Sequence, residues 1–176
     1  MPKFRNISVE VDHHLAKKVY FTILIFTFIW LLLIFLAPLF MKWGGAFENV
    51  SSFIYLFFSR VCHQQQERSF QLFEYTFGVC SRCVSIYSGF FMGTVFYSLK
   101  YKLNNTHPPP IWFLIIASII LILDVSLDSI GIMKNNFLSR SITGLLIGLV
   151  LPFYIIPGFV NFFYEVNSFL RKKINI

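Results

Sequence analysis

Three cysteines and a histidine lie close together in a chain that is otherwise strongly apolar. Cys62 and His63 are adjacent, and Cys80 and Cys83 form a Cys-x-x-Cys motif at the start of a long apolar run. Residues three apart share a helix face, so two thiolates at this spacing can chelate one ion. Zinc is commonly held by four cysteine or histidine ligands. We therefore expect a zinc site made of Cys80, Cys83 and either Cys62 or His63.

The same cysteines permit two other interpretations. Free cysteine packs like a small apolar residue, so three buried cysteines can be purely structural. On an oxidising side of a membrane, Cys80 and Cys83 can instead form a catalytic disulfide, with Cys62 as a third thiol. The sequence leaves these alternatives open.

Two acidic residues lie in a later apolar run, where a charge is costly. Asp124 and Asp128 are four residues apart, so they share a helix face. Ionised groups inside a bilayer usually face a polar cavity and find partners, and we expect Arg82 and Arg140 to be those partners. The aspartates either form a structural salt bridge or act in catalysis as metal ligands, a general base or a proton relay.

Arginines on the same predicted side of the membrane indicate an anionic ligand. Arg68, Arg82 and Arg140 are expected to bind the substrate, because guanidinium groups recognise phosphate and carboxylate in a bidentate manner. Arg60 is better explained by an interfacial position. His63 completes the expected catalytic residues, beside the two aspartates.

The composition identifies an integral membrane protein. The chain has 176 residues, of which 56% are hydrophobic and only 13% are charged. A soluble domain carries about 25% charged residues. The net charge of +7 does not indicate nucleic-acid binding, because the basic residues form short clusters beside apolar runs. The bilayer is the expected partner, and the oligomeric state does not follow from the sequence.

Apolar runs of about 20 residues predict an all-α membrane protein with about four transmembrane helices. The predicted spans are Val19–Phe40, Phe77–Leu99, Ile111–Ile130 and Arg140–Phe163. Residues 47–60 are too short to cross easily and predict a short re-entrant or interfacial helix. We expect residues 1–45 to form an N-terminal arm and first anchor, and residues 46–176 to form a helical membrane domain that carries the Cys/His/Asp/Arg site.

Small residues and prolines mark how the spans are expected to pack. The small residues at four-residue spacing are Ser85, Gly89 and Gly93 on the second span, and Gly144 and Gly148 on the fourth. This spacing allows two helix backbones to approach closely. Pro152 and Pro157 are expected to kink the fourth span.

Basic clusters predict the orientation. If residues 47–60 do not cross, one side of the membrane holds Lys3, Arg5, Lys17, Lys18, Lys100, Lys102 and Arg171 to Lys173. This side should be cytoplasmic, which places both termini in the cytoplasm and the cysteines near the outer face of the cell membrane.

Several of these motifs resemble an uncharacterised family of prokaryotic membrane proteins, domain-of-unknown-function family 2085. The resembling segments are Cys62-His63-Gln64, Glu67-Arg68-Ser69-Phe70, Cys80-Ser81-Arg82-Cys83 and Ile86-Tyr87-Ser88-Gly89, followed by Asp124, Asp128, Gly131, Asn136, Arg140, Thr143 and Gly144. At Val84-Ser85 the family more often has a small polar residue and glycine. The resemblance implies a shared polar site in a small helical membrane domain, and it supplies no reaction.

The site favours a metal-dependent membrane hydrolase or transferase that acts on a lipid or lipid-linked anion. A bound metal would activate water or polarise an ester or phosphoester. Two alternatives remain, a thiol–disulfide membrane oxidoreductase and a non-enzymatic metal-binding or structural membrane protein. The sequence does not decide whether the protein is an enzyme.

Overall fold

The fold was analysed in a computed structural model, which describes residues 13–103 and 107–174. Most of the expected N-terminal arm, with Lys3 and Arg5, lies outside these residues. The helices are α1 (His13–Trp43), α2 (Ala46–Phe58), α3 (Ser81–Lys100), α4 (Trp112–Ser129), α5 (Phe137–Val150) and α6 (Pro152–Ile174). A 3-10 turn (Gln66–Arg68) and an antiparallel hairpin of strands β1 (Gln71–Leu72) and β2 (Tyr75–Thr76) lie between α2 and α3.

Three helical segments in the described part of the chain are long and apolar enough to cross a membrane: His13–Trp43, Trp112–Ser129 and Phe137–Leu170. Helix α3 also has membrane length, with 20 residues. It is less apolar because it carries the small and polar residues that pack against α5. The expected all-α membrane fold, with four membrane-length segments and one short helix, is confirmed.

The fourth predicted span is interrupted at Pro152, one of the two positions where a kink was expected. Helix α5 ends at Val150 and α6 begins at Pro152, and Leu151 between them keeps helical angles, with φ of −54° and ψ of −43°. Proline lacks the backbone N–H that a continuous helix needs and clashes with the preceding turn. Pro157, in contrast, lies inside α6.

Two buried clusters occupy opposite ends of the helical bundle. One contains Ala16, Val19 and Tyr20 of α1, with Tyr97 of α3 and Ile156 and Val160 of α6. The other contains Ile34 and Ala37 of α1, Ile54 and Phe58 of α2, and Cys62, Val79 and Val84. Lys17, Lys18 and Lys100 therefore lie at the end away from the cysteines, as predicted.

Helix α2 is re-entrant in shape. After the turn at Gly44-Gly45 it runs back along α1, and the Ser51 hydroxyl donates a hydrogen bond to the Ala37 carbonyl at 2.7 Å. The ring centroids of Trp30 and Phe58 lie 5.2 Å apart near the far end of α2. A helix of 13 residues spans about 20 Å, which is less than the roughly 30 Å of a bilayer core. The segment that follows α2 therefore begins beside the middle of α1 and not at its end.

Helices α3 and α5 are in backbone contact along the predicted glycine faces. A Cβ atom added at Gly89 would lie 2.6 Å from the Leu145 carbonyl oxygen, and one at Gly144 would lie 2.7 Å from that of Arg82. Only glycine allows this approach, so both predicted packing faces are confirmed. The contact fixes the first turn of α3 against α5.

The start of the second predicted span is wrong. Helix α3 begins at Ser81 rather than Phe77, because Cys80 has the extended φ and ψ of an N-cap residue. Residues 77–80 continue from the hairpin instead, and the Phe77 N–H donates to the Phe70 carbonyl at 2.9 Å. The hairpin was not predicted, since strands of two residues show no alternating pattern.

Candidate metal centre

The three cysteine sulfurs form one cluster. The Sγ atoms of Cys62, Cys80 and Cys83 all lie within 4.8 Å of one another, and the thiols are free. Sulfurs that share a tetrahedral zinc ion, with bonds of about 2.3 Å, are about 3.8 Å apart, which is within this limit. The spacing of the sulfurs therefore suits one shared metal ion. No two of these sulfurs are joined in a disulfide.

Two separate segments of the chain position the three sulfurs. Cys62 follows the end of α2, and its N–H donates to the Phe58 carbonyl at 2.9 Å. Cys80 is the N-cap of α3, and Cys83 lies in its first turn. The Gln64 side-chain amide donates to the carbonyls of Tyr55 and Gly78, at 2.8 Å each. Gln64 thereby joins the segment after α2 to the segment before α3.

The surroundings of the cluster favour a thiolate at Cys62. The Cys80 N–H donates to Cys62 Sγ at 3.2 Å. Hydrogen bonds from the Cys80 and Cys83 thiols lower the pKa of the Cys62 thiol far below its usual range. Cys80 and Cys83 also lie at the positive end of the α3 dipole, which stabilises anions. Thiolates are the form that binds a metal ion.

A cavity of about 340 Å³ lies against the sulfur cluster. Its lining includes the three cysteines, His63, Arg68, Arg82 and Arg140. His63 is exposed and lines this cavity, but it is not part of the group of clustered ligand atoms. A zinc ion with three protein ligands would keep a fourth position for water or substrate.

Two carboxylates hold the arginines of this cavity. Arg82 donates to Asp124 at 2.5 Å, and Arg140 donates to Asp128 at 3.0 Å. Both predicted pairs are therefore formed. Arg68 approaches Asp128 at 3.6 Å, and its side chain is 47% exposed. Asp124 and Asp128 do not line the cavity. Their effect on it is to orient Arg82 and Arg140, which do line it.

The arginine charge is not fully matched in this arrangement. Three guanidinium groups face two carboxylates, and the buried Nε atoms of Arg82 and Arg140 make no hydrogen bond within the described residues. Buried donors are usually paired. An anion in the cavity, or the net negative charge of a zinc ion with three thiolates, would balance the excess positive charge.

Four further residues support the site, and sequence reasoning missed two of them, Asn135 and Ser139. Ser139 and Thr143 both donate to Asp124, and the Asn135 side chain donates to the Asp124 carbonyl at 2.8 Å. Asn136 caps α5 by accepting from the Ser139 N–H at 2.8 Å. An asparagine before a helix is a cap signal, and it would have indicated where α5 begins.

These features define a small α-helical membrane protein with a buried site of cysteine, arginine and aspartate. A family described as "Predicted membrane protein (DUF2085)" matches residues 62–154. The uncharacterized protein MJ1492 of Methanocaldococcus jannaschii is 37% identical over 152 residues, which cover 85% of this chain and 97% of that protein. The chain belongs to the DUF2085 family, as its motifs predicted. No solved structure matches it.

Proposed function

We propose that the chain is a metal-binding membrane protein whose three cysteines hold one zinc ion. The observation that carries this proposal is the clustering of three sulfurs within 4.8 Å at the wall of a polar cavity. The N–H···S bond from Cys80 and the positive end of α3 support it, because both stabilise thiolates. His63 is a candidate for the fourth ligand, and this role requires its ring to turn toward the sulfurs.

We further propose that the site is a hydrolase or transferase site for a lipid or lipid-linked anion. A bound zinc ion supplies Lewis acidity to an ester or phosphoester. Arg68 is the best placed to contact the anion, because it is partly exposed and its contact with Asp128 is the longest of the three ion pairs. Arg82 and Arg140 present buried Nε donors, and His63 lies where it could move a proton to or from water in the cavity.

The depth of the site supports a substrate drawn from the bilayer. The sulfur cluster packs with Ile34 of α1, nine residues before Trp43, which corresponds to roughly 13 Å along the helix axis. We propose that the cysteine end faces the outer side of the cell membrane and that both termini are cytoplasmic. The basic residues at the other end, including Lys17, Lys18 and Lys100, support this orientation.

Metal analysis of purified protein tests the proposal. We expect about one zinc ion per chain in the unaltered protein. We expect the Cys80→Ser Cys83→Ser double variant to have lost it. The His63→Ala variant serves as a comparison, because it removes the possible fourth ligand and leaves all three sulfurs. Metal retained by His63→Ala but with weaker affinity would assign His63 to the ion.

Two results would contradict the proposal. A metal-free protein with a reversible Cys80–Cys83 disulfide would indicate a thiol–disulfide oxidoreductase. A protein that binds zinc but performs its cellular role unchanged in the Arg68→Gln and His63→Ala variants would indicate a structural ion that fastens the loop to the helices.

A further inference from the structure

Gln64 lines two cavities: the one beside the sulfur cluster, which we call the cysteine cavity, and a second one. The second cavity is an open basin of about 680 Å³ between α2 and the hairpin. The side chains that matter for its chemistry are Ser52, Gln64, Gln66, Gln71, Glu74 and Tyr75. We call it the glutamine basin. Its volume is within the range of pockets that hold small ligands, about 300–1,000 Å³.

The glutamine basin has the opposite charge character to the cysteine cavity. Among the described residues that line it, Glu74 alone is charged, whereas three arginines line the cysteine cavity. Its other polar groups are amides and hydroxyls, which both donate and accept hydrogen bonds. This surface disfavours a phosphate or carboxylate and suits a neutral ligand with many hydroxyl groups.

Most of the polar side chains of the basin are available to a ligand. Hydrogen bonds within the described chain use the Tyr55 hydroxyl, which donates to the Thr76 carbonyl, the Ser59 hydroxyl, which donates to the Leu56 carbonyl, and the Gln64 amide. The side chains of Gln66, Glu74 and Tyr75 make no hydrogen bond to a described residue and are exposed. Tyr75 adds a ring that can pack against the C–H face of a sugar.

Two turns beside the basin contain residues other than glycine with positive φ. Phe73 and Glu74 form the two-residue turn of the hairpin with φ of 53° and 70°, and Gln64 has φ of 48°. Such turns favour Asn-Gly or Asp-Gly, because most side chains disfavour positive φ. A Phe-Glu turn places the Glu74 side chain at the basin instead.

We propose that the glutamine basin binds a neutral polyhydroxylated group, that is, a sugar or a polyol. Gln64 lines both cavities, so a single molecule can place an anionic group beside the cysteines and a sugar in the basin. Only this joint occupancy depends on the proposed function. The binding of the sugar itself requires neither the metal nor catalysis.

Binding to the full chain in phosphatidylcholine nanodiscs tests this proposal. The protein is purified in a detergent without a sugar head group, since maltosides and glucosides would compete for the basin. The probes are methyl glucoside and glucosyl-diacylglycerol, with diacylglycerol and phosphatidic acid as controls, and binding is followed by native mass spectrometry. We expect glucosyl-diacylglycerol to bind and Glu74→Ala to weaken its binding about tenfold.

Glu67→Ala is the matched control, because Glu67 is exposed in the neighbouring turn and does not line the basin. Zinc content and the melting temperature report whether each variant is folded. Binding of both glucosides supports a site for a free sugar, and binding of the lipid alone supports a lipid-borne sugar. The proposal is overturned if neither glucoside binds, if diacylglycerol binds equally well, or if Glu74→Ala has no effect.

Protein stripped of metal by a chelator separates this proposal from the previous one. Unchanged glucoside binding by stripped protein supports an independent basin. Loss of binding on stripping, with the fold retained, would contradict the independence of the basin from the metal centre.

Discussion

Asp124 has more hydrogen-bond donors than any other side chain described in the cysteine and arginine region. Its carboxylate accepts from Arg82 on α3 and from Ser139 and Thr143 on α5. One residue of α4 thereby joins three helices. A carboxylate with this many partners is poorly suited to accept a further proton from a substrate, so its contribution to chemistry would pass through Arg82.

The Asp124→Asn variant is expected to destabilise the protein. The amide cannot pair with the Arg82 charge, and breaking a buried ion pair costs roughly 3–5 kcal/mol. The free energy of unfolding in detergent measures the loss. Glu48→Gln is the control, because Glu48 is exposed on α2. Equal stability of the two variants would mean that the pair contributes nothing to folding.

At the scale of elements, the contact between α3 and α5 determines the positions of Arg82 and Arg140. The carbonyl of Arg82 itself lies against Gly144. In a bilayer there is little hydrophobic drive to bring helices together, so this close packing is a main source of association. The positions of the cysteine cluster and the arginines depend on it, since Cys80 and Cys83 belong to the same end of α3.

The Gly89→Val variant is expected to separate α3 from α5. A Cβ at Gly89 would collide with the Leu145 carbonyl, and overpacking of this kind costs roughly 1–3 kcal/mol or more. We expect a lower melting temperature and a reduced zinc content. Gly158→Val on α6 is the control, because a Cβ there meets no atom within 4 Å. Similar losses in both variants would argue that valine acts through the membrane and not through the contact.

The sequence predicted those elements whose signals are local. Gly89 and Gly144 could be recognised from their spacing, and the charges of Asp124 and Asp128 identified their partners. The role of Gln64 could not be predicted, because its amide binds backbone carbonyls of Tyr55 and Gly78, and every residue has a backbone carbonyl. The interruption at Pro152 could be predicted from the proline alone, because proline removes a helical hydrogen bond wherever it lies inside a span.

At the scale of the whole molecule, the two ends of the bundle differ in chemistry. The end with Tyr97 and Val160 carries the basic residues next to the helix termini. The end with Cys62 and Val79 carries the polar loop, the hairpin and both cavities. A protein with this polarity has a defined inner and outer face once it is inserted.

Reporter cysteines test the orientation. In intact cells, a membrane-impermeant maleimide is expected to label the Glu67→Cys variant and not the Lys102→Cys variant. Both positions are exposed, and they lie at opposite ends of the bundle. The unaltered chain shows how far the native cysteines react. Labelling of Lys102→Cys alone would reverse the proposed orientation, and the cavities would then open to the cytoplasm.

Most of the hydrogen bonds that hold the loop between α2 and α3 involve no sulfur. The Gln64 amide, the Ser69 hydroxyl and the Phe77 N–H all bind carbonyls of the loop or its neighbours. In small zinc domains the ion and the fold form together. Here these hydrogen bonds hold the loop whether or not the sulfurs bind an ion, so we expect the proposed ion to exchange for another without unfolding the chain.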